Sequence, residues 1–143
     1  MRYVRKAEFF ARLRKRYPFD SRYFYSGRVS RLPERRLSTR AGIDRLVRET
    51  LRVFTWPVPG AILAFNDGFA GWRGVPRRRR HDPLQLEPGF DLRAFLQEHV
   101  CFRDPDGYAD NYYFTSPELK WFVVFCHEGD WHFMGPSPFL RKT

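Results

Sequence analysis

Helical and alternating hydrophobic patterns succeed one another along this chain in the order helix, helix, hairpin, helix, meander. That order predicts an α+β fold, a mostly antiparallel sheet packed by about three helices. Size and composition agree. A chain of 143 residues that is 43% hydrophobic and 18% aromatic can withdraw roughly 70% of its unfolded surface from water, so a real core is expected and wholesale disorder is not. The longest apolar run, residues 121–126, falls far short of the ~20 residues that cross a bilayer. A single domain over residues 1–143 is expected, with no internal repeat.

The first helix is expected over residues 2–16, where Phe9, Phe10, Leu13 and Tyr17 recur at helical spacing and Pro18 ends it. This start is Arg-rich and amphipathic like a transit segment but poor in serine, and its basic residues interrupt any secretory apolar stretch. A core-docked helix in a cytoplasmic protein is the expectation. Residues 19–38 show no clean period and read as a loop or one short strand. A second helix is expected over 39–54, with Ile43, Leu46, Val47, Leu51 and Phe54 on one stripe and the pairs Asp44/Arg48 and Arg45/Glu49 on the wet side.

Pro57, Pro59 and Gly60 end that helix, and residues 61–65 read as an apolar strand. Asn66-Asp67-Gly68 is a hairpin signal, so residues 69–73 are expected to return antiparallel. Residues 74–89, rich in arginine and proline, are expected to form an exposed loop. Asp91 is placed to cap a short helix ending at His99, with Leu92, Phe95 and Leu96 inward. Asp104-Pro105-Asp106-Gly107 reads as a turn. Strands are expected over residues 112–115, 119–127 and 131–134, separated by a break at Ser116-Pro117. The middle one carries large residues on both faces, Trp121, Val123 and Phe125 on one and Phe122, Val124 and Cys126 on the other. A strand of that kind must be covered on both sides.

No motif names a reaction. His127, Glu128, Asp130 and His132 cluster at the last hairpin and are candidate ligands of a metal-dependent hydrolase or nuclease. Register decides their geometry. A two-residue turn at Gly129-Asp130 sets His127 opposite His132. A three-residue loop sets Cys126 opposite Asp130 and separates the histidines, and glycine at its left-handed position favours this second form. Turn chemistry explains the cluster without a metal, because its spacing matches no metal motif with a mechanism. Cys126 beside His127 is a poor nucleophile pair, since neighbours on a strand point to opposite faces. Cys101 and Cys126 are expected to stay reduced. Asp104, Asp106 and Asp110 fail as a calcium loop, because Gly107 stands at the fourth position instead of the sixth. No glycine-rich phosphate cradle and no cofactor signature is present.

Charge is the remaining signal. The chain holds 26 basic and 16 acidic residues, net +10. Residues 1–80 carry 21 basic and 6 acidic side chains, whereas residues 81–143 carry 5 and 10. Two basic runs contain no acid, Arg12, Arg14, Lys15 and Arg16 on the first helix and Arg77, Arg78, Arg79 and Arg80 on the proline-bounded loop. Such runs repel themselves until an anion arrives. Four arginines on four duplex phosphates correspond to a salt slope of about −3.6. Tyr23, Phe24 and Tyr25, interleaved with Arg22 and Arg28, are candidate stacking residues. The expected function is a non-catalytic binding module, monomeric or weakly self-associating. Its basic front half would hold either a nucleic acid or an acidic protein of the immunity-like or regulatory kind, and no membrane partner is expected.

Overall fold

The computed structural model describes residues 1–16, 34–38, 48, 60–66, 71–100, 111–125 and 130–134, with the backbone alone at 34–38, 125 and 130–134. The elements in chain order are β1 (Arg2–Tyr3), α1 (Lys6–Arg16), β2 (Glu34–Ser38), β3 (Ile62–Asn66), a 3-10 turn (Arg77–Arg79), β4 (Leu84–Leu86), α2 (Leu92–His99), β5 (Tyr112–Thr115), β6 (Phe122–Phe125) and β7 (Asp130–Met134). The seven strands form one sheet in the order β1-β4-β3-β5-β6-β7-β2. Every neighbouring pair is antiparallel. The fold is α+β, and the C-terminal meander is its β5-β6-β7 portion.

Alternation sorts the core into two layers. Ile62, Ala64, Tyr112, Phe114, Trp121 and Val123 pack on one face with Leu92, Phe95 and Leu96 of α2. Leu63, Phe65, Tyr113, Phe122 and Val124 pack on the other with Phe9 and Leu13 of α1. Opposed residues keep these sets in register, as in Ala64 with Phe114 and Tyr113 with Val124. Trp121 and Val123 on one side and Phe122 and Val124 on the other are thus covered by a helix on each side, whereas Cys126 lies outside the described residues.

The helices follow from local chemistry. Asp91 Oδ1 accepts the Ala94 backbone N–H at 3.0 Å, as expected of an N-cap. At the other end of α2 the Arg73 N–H donates to the His99 carbonyl at 2.8 Å, and the Arg73 guanidinium donates to the Gln97 carbonyl. Arg73 therefore satisfies two carbonyls that the helix leaves open, that of His99 through its backbone N–H and that of Gln97 through its cation. In α1, Phe9 and Leu13 are buried and Phe10 is half-buried, edge-on to Phe65 at 5.8 Å.

Several expectations are corrected. The first helix begins at Lys6 because Arg2 and Tyr3 pair with Gln85 and Leu84. The hairpin expected between residues 61–65 and 69–73 does not form, since both edges of β3 are taken by β4 and β5 and residues 71–73 are not strand. A strand buried at all five positions belongs in the sheet's middle, where a distant partner outcompetes a local return. Residues 74–89 are exposed at Arg77–Arg79 but not throughout: Leu84 and Leu86 are core residues of β4. The strand expected from residue 119 begins at Phe122, because Leu119 adopts a positive φ of 57° in the preceding turn. Two α-helices are described. The helix expected over 39–54 lies outside the described residues except for Arg48, which is helical and exposed. The turn at 104–107 also lies outside them.

Leu13 and Leu96 are both fully buried, on opposite faces. Leu13→Ala and Leu96→Ala are each expected to destabilise by about 2–5 kcal/mol in urea unfolding. Because the sheet separates them, the double variant should show the sum. A negligible effect of Leu13→Ala would mean that α1 does not seal its face.

Candidate anion-binding surface

The Arg77–Arg79 turn is presented by a segment wired to the sheet. Its backbone closes on itself through Arg79 N–H to Pro76 O and Asp82 N–H to Arg79 O. The Arg80 carbonyl, just beyond, accepts the Trp72 N–H at 2.7 Å and Asn66 Nδ2 at 3.3 Å. Trp72 Nε1 donates to the Asp82 carbonyl at 3.0 Å, and the buried Tyr112 hydroxyl donates to the Gly71 carbonyl. Gly71 has φ +69°, and a Cβ there would stand 2.5 Å from the Arg80 carbonyl oxygen. Only glycine permits that approach.

The side chains form a chain whose proton positions follow from the partners. Asn66 Nδ2 faces a carbonyl, so its Oδ1 faces His81 Nδ1 at 3.1 Å. Nδ1 therefore carries the proton, and His81 Nε2 accepts from Arg80 Nε at 3.2 Å. Arg79 Nη1 pairs with Asp82 at 3.0 Å, and its guanidinium carbon lies 5.0 Å from the Tyr3 ring centroid.

The eight basic residues singled out by sequence separate into two roles. Arg79 and Arg80 are held as just described. Arg12 donates to the Pro117 carbonyl in the turn after β5, and Arg16 also has a partner. Arg14, Lys15, Arg77 and Arg78 are exposed and engage no acid among the described residues. They do not converge on one patch. Arg77–Arg79 stand at the end of the sheet where Asn66 closes β3, whereas Arg12 reaches Pro117 at the opposite end. An 11-residue α1, about 16 Å long, separates the two clusters. Lys6, Ala7, Phe10 and Arg14 line an open depression of about 480 Å³ along that helix.

Tyr23, Phe24 and Tyr25 lie outside the described residues, as do His127 and Glu128. Register nevertheless settles the last hairpin in part. Phe125 faces Trp131 and Val124 faces His132, whereas the two-residue turn would set Phe125 opposite Met134. The arrangement that pairs His127 with His132 is therefore excluded. Among the described residues no group of three or more His, Cys, Asp or Glu is arranged to hold a metal.

Sequence reasoning missed Tyr3, Asn66 and His81 as parts of this surface. The Leu84-Gln85-Leu86 alternation was a usable signal for β4. Tyr3 had none, since its place depends on pairing with a strand some eighty residues away. No protein-family model, curated protein or solved structure matches the chain.

Gly71→Ala is expected to destabilise by more than the ~1–2 kcal/mol of a left-handed non-glycine residue and to speed tryptic cleavage after Arg77–Arg79. Gly60→Ala is the control, because Gly60 also has positive φ (+92°) but nothing within 4 Å of an added Cβ. Equal effects in urea unfolding and proteolysis would show that the Gly71–Arg80 contact does not hold the turn.

Proposed function

We propose that the protein is a non-catalytic binding module that holds an anionic partner, with Arg77 and Arg78 as its principal ligands. One observation carries this reading: two consecutive guanidinium groups with no acid partner among the described residues stand exposed on a turn whose neighbouring backbone is fastened to the sheet. Neighbouring like charges are unfavourable until an anion screens them, and a fixed turn loses little freedom when it binds. Arginine suits the task because its planar fork matches phosphate and carboxylate oxygens. Arg79 and Arg80 act here as fasteners of the turn more than as ligands. Arg14 and Lys15 form a second, weaker contact on α1, available to a partner long enough to reach both ends of the sheet. The protein works in the cytoplasm. No described helix is long and apolar enough to cross a membrane.

The reading is tested by measuring the affinity for a short DNA duplex and for poly-glutamate at several salt concentrations. Arg77→Ala/Arg78→Ala is expected to weaken binding of both polyanions. On the duplex it should flatten the dependence of log K on log salt by roughly 1.8, two phosphates at about 0.9 each. An unchanged slope and affinity would overturn the assignment.

A further inference from the structure

Met1 and Tyr3, 55% and 36% exposed, are the exposed large hydrophobic side chains among the described residues. An isolated exposed aromatic needs no explanation, but the surroundings of Tyr3 are specific. It lies on β1, the outermost strand at one edge of the sheet, opposite Leu84. Leu84 opens β4, the strand entered from the Arg77–Arg79 turn. The Arg79 guanidinium rests against the Tyr3 ring and is itself fixed by Asp82. Arg2 is tied to Gln85 by two hydrogen bonds from its guanidinium, and the Val4 N–H is tied to the Pro83 carbonyl, so the backbone on both sides of Tyr3 is anchored. Beyond Val4, Arg5 and Lys6 are exposed and leave β1 toward the same end of the sheet as the turn, because β1 runs antiparallel to β4.

We propose that this edge binds single-stranded nucleic acid, with Tyr3 stacking on a base and Arg77 and Arg78 holding flanking phosphates. The inference rests on the anion-binding reading and narrows it to one class of partner. A single strand offers each ring a free base face, whereas a duplex hides its base faces and presents phosphates alone. An acidic peptide would satisfy the arginines but not the ring, because the face of an aromatic ring is electron-rich and repels carboxylate. The Arg79 guanidinium lies over one face of the Tyr3 ring, so the base would stack on the other face. Pre-ordering of Tyr3 by Arg79 and Asp82 removes rotamer freedom before the ligand arrives.

The test compares a labelled 12-mer of deoxythymidine with an abasic phosphodiester strand of the same length and charge, using the full chain with any tag at its C-terminus. Wild type is expected to prefer the base-bearing strand by roughly 5- to 150-fold, the range supplied by one stacked base. Tyr3→Leu should bring that ratio close to one through loss of affinity for the base-bearing strand, and Tyr3→Phe should retain it. Arg77→Ala/Arg78→Ala should weaken both strands together. A preference that survives Tyr3→Leu, or no preference in wild type, overturns the stacking role and leaves the anion reading standing. Binding of poly-glutamate without either strand points to an acidic protein and overturns the nucleic-acid assignment alone. Indifference of every polyanion to the double arginine variant removes both.

Discussion

The structure depends on strands that are apolar on both faces. β3, β5 and β6 bury consecutive residues, not alternate ones, so neither face of the central sheet can be left to water. Two consequences follow. A helix must lie on each side, which α1 and α2 supply through Phe9 and Leu13 on one face and Leu92, Phe95 and Leu96 on the other. The short or charged strands must lie outside, which puts β1 and the arginine-bearing β2 at the rims. A charged rim also discourages edge-to-edge pairing with other chains.

The same constraint explains why an arginine-rich segment is rigid here. Residues 71–83 cross the end of a sheet whose last buried position, Asn66, is polar. A buried amide must find partners, and it finds them in Arg80 and His81. The polar end of β3 thereby becomes an anchor for the loop, and the Arg80 carbonyl gathers donors from a strand and from Trp72. Charge that sequence alone presents as one undifferentiated run is thus divided by the fold, with Arg79 and Arg80 turned to structural work and Arg77 and Arg78 left facing solvent.

What was legible in the chain is what local physics determines. The Asp91 cap and the stripe of α2 need only neighbouring residues, and the two-faced pattern of residues 121–125 states its own burial. The misread parts depend on distant partners. Asn66-Asp67-Gly68 is sound turn chemistry, yet β3 pairs with β4 and β5 because those strands offer Leu84, Leu86, Phe114 and Tyr113 to its two sides. β4 is three residues long between prolines and was hidden in a segment whose composition reads as loop. The site shows the same division: Arg77 and Arg78 are visible as charge, whereas Tyr3 becomes a neighbour of Arg79 only once β1 has paired with β4. Arg12 could not be told from Arg14 and Lys15 until the turn at Pro117 was placed.

The arrangement of the rims bears on how the molecule is assembled during synthesis. Both border strands come from the front of the chain, yet each waits for a late partner, β1 for β4 and β2 for β7. At about 5–20 residues per second, Ser38 leaves the ribosome on the order of 5–20 seconds before Asp130, its mate, is made. For most of that interval β2 has no partner, because β5 and β6 are themselves made only shortly before β7. The final closure of the sheet is therefore the docking of β2, translated long before its partner, onto β7, the last strand among the described residues.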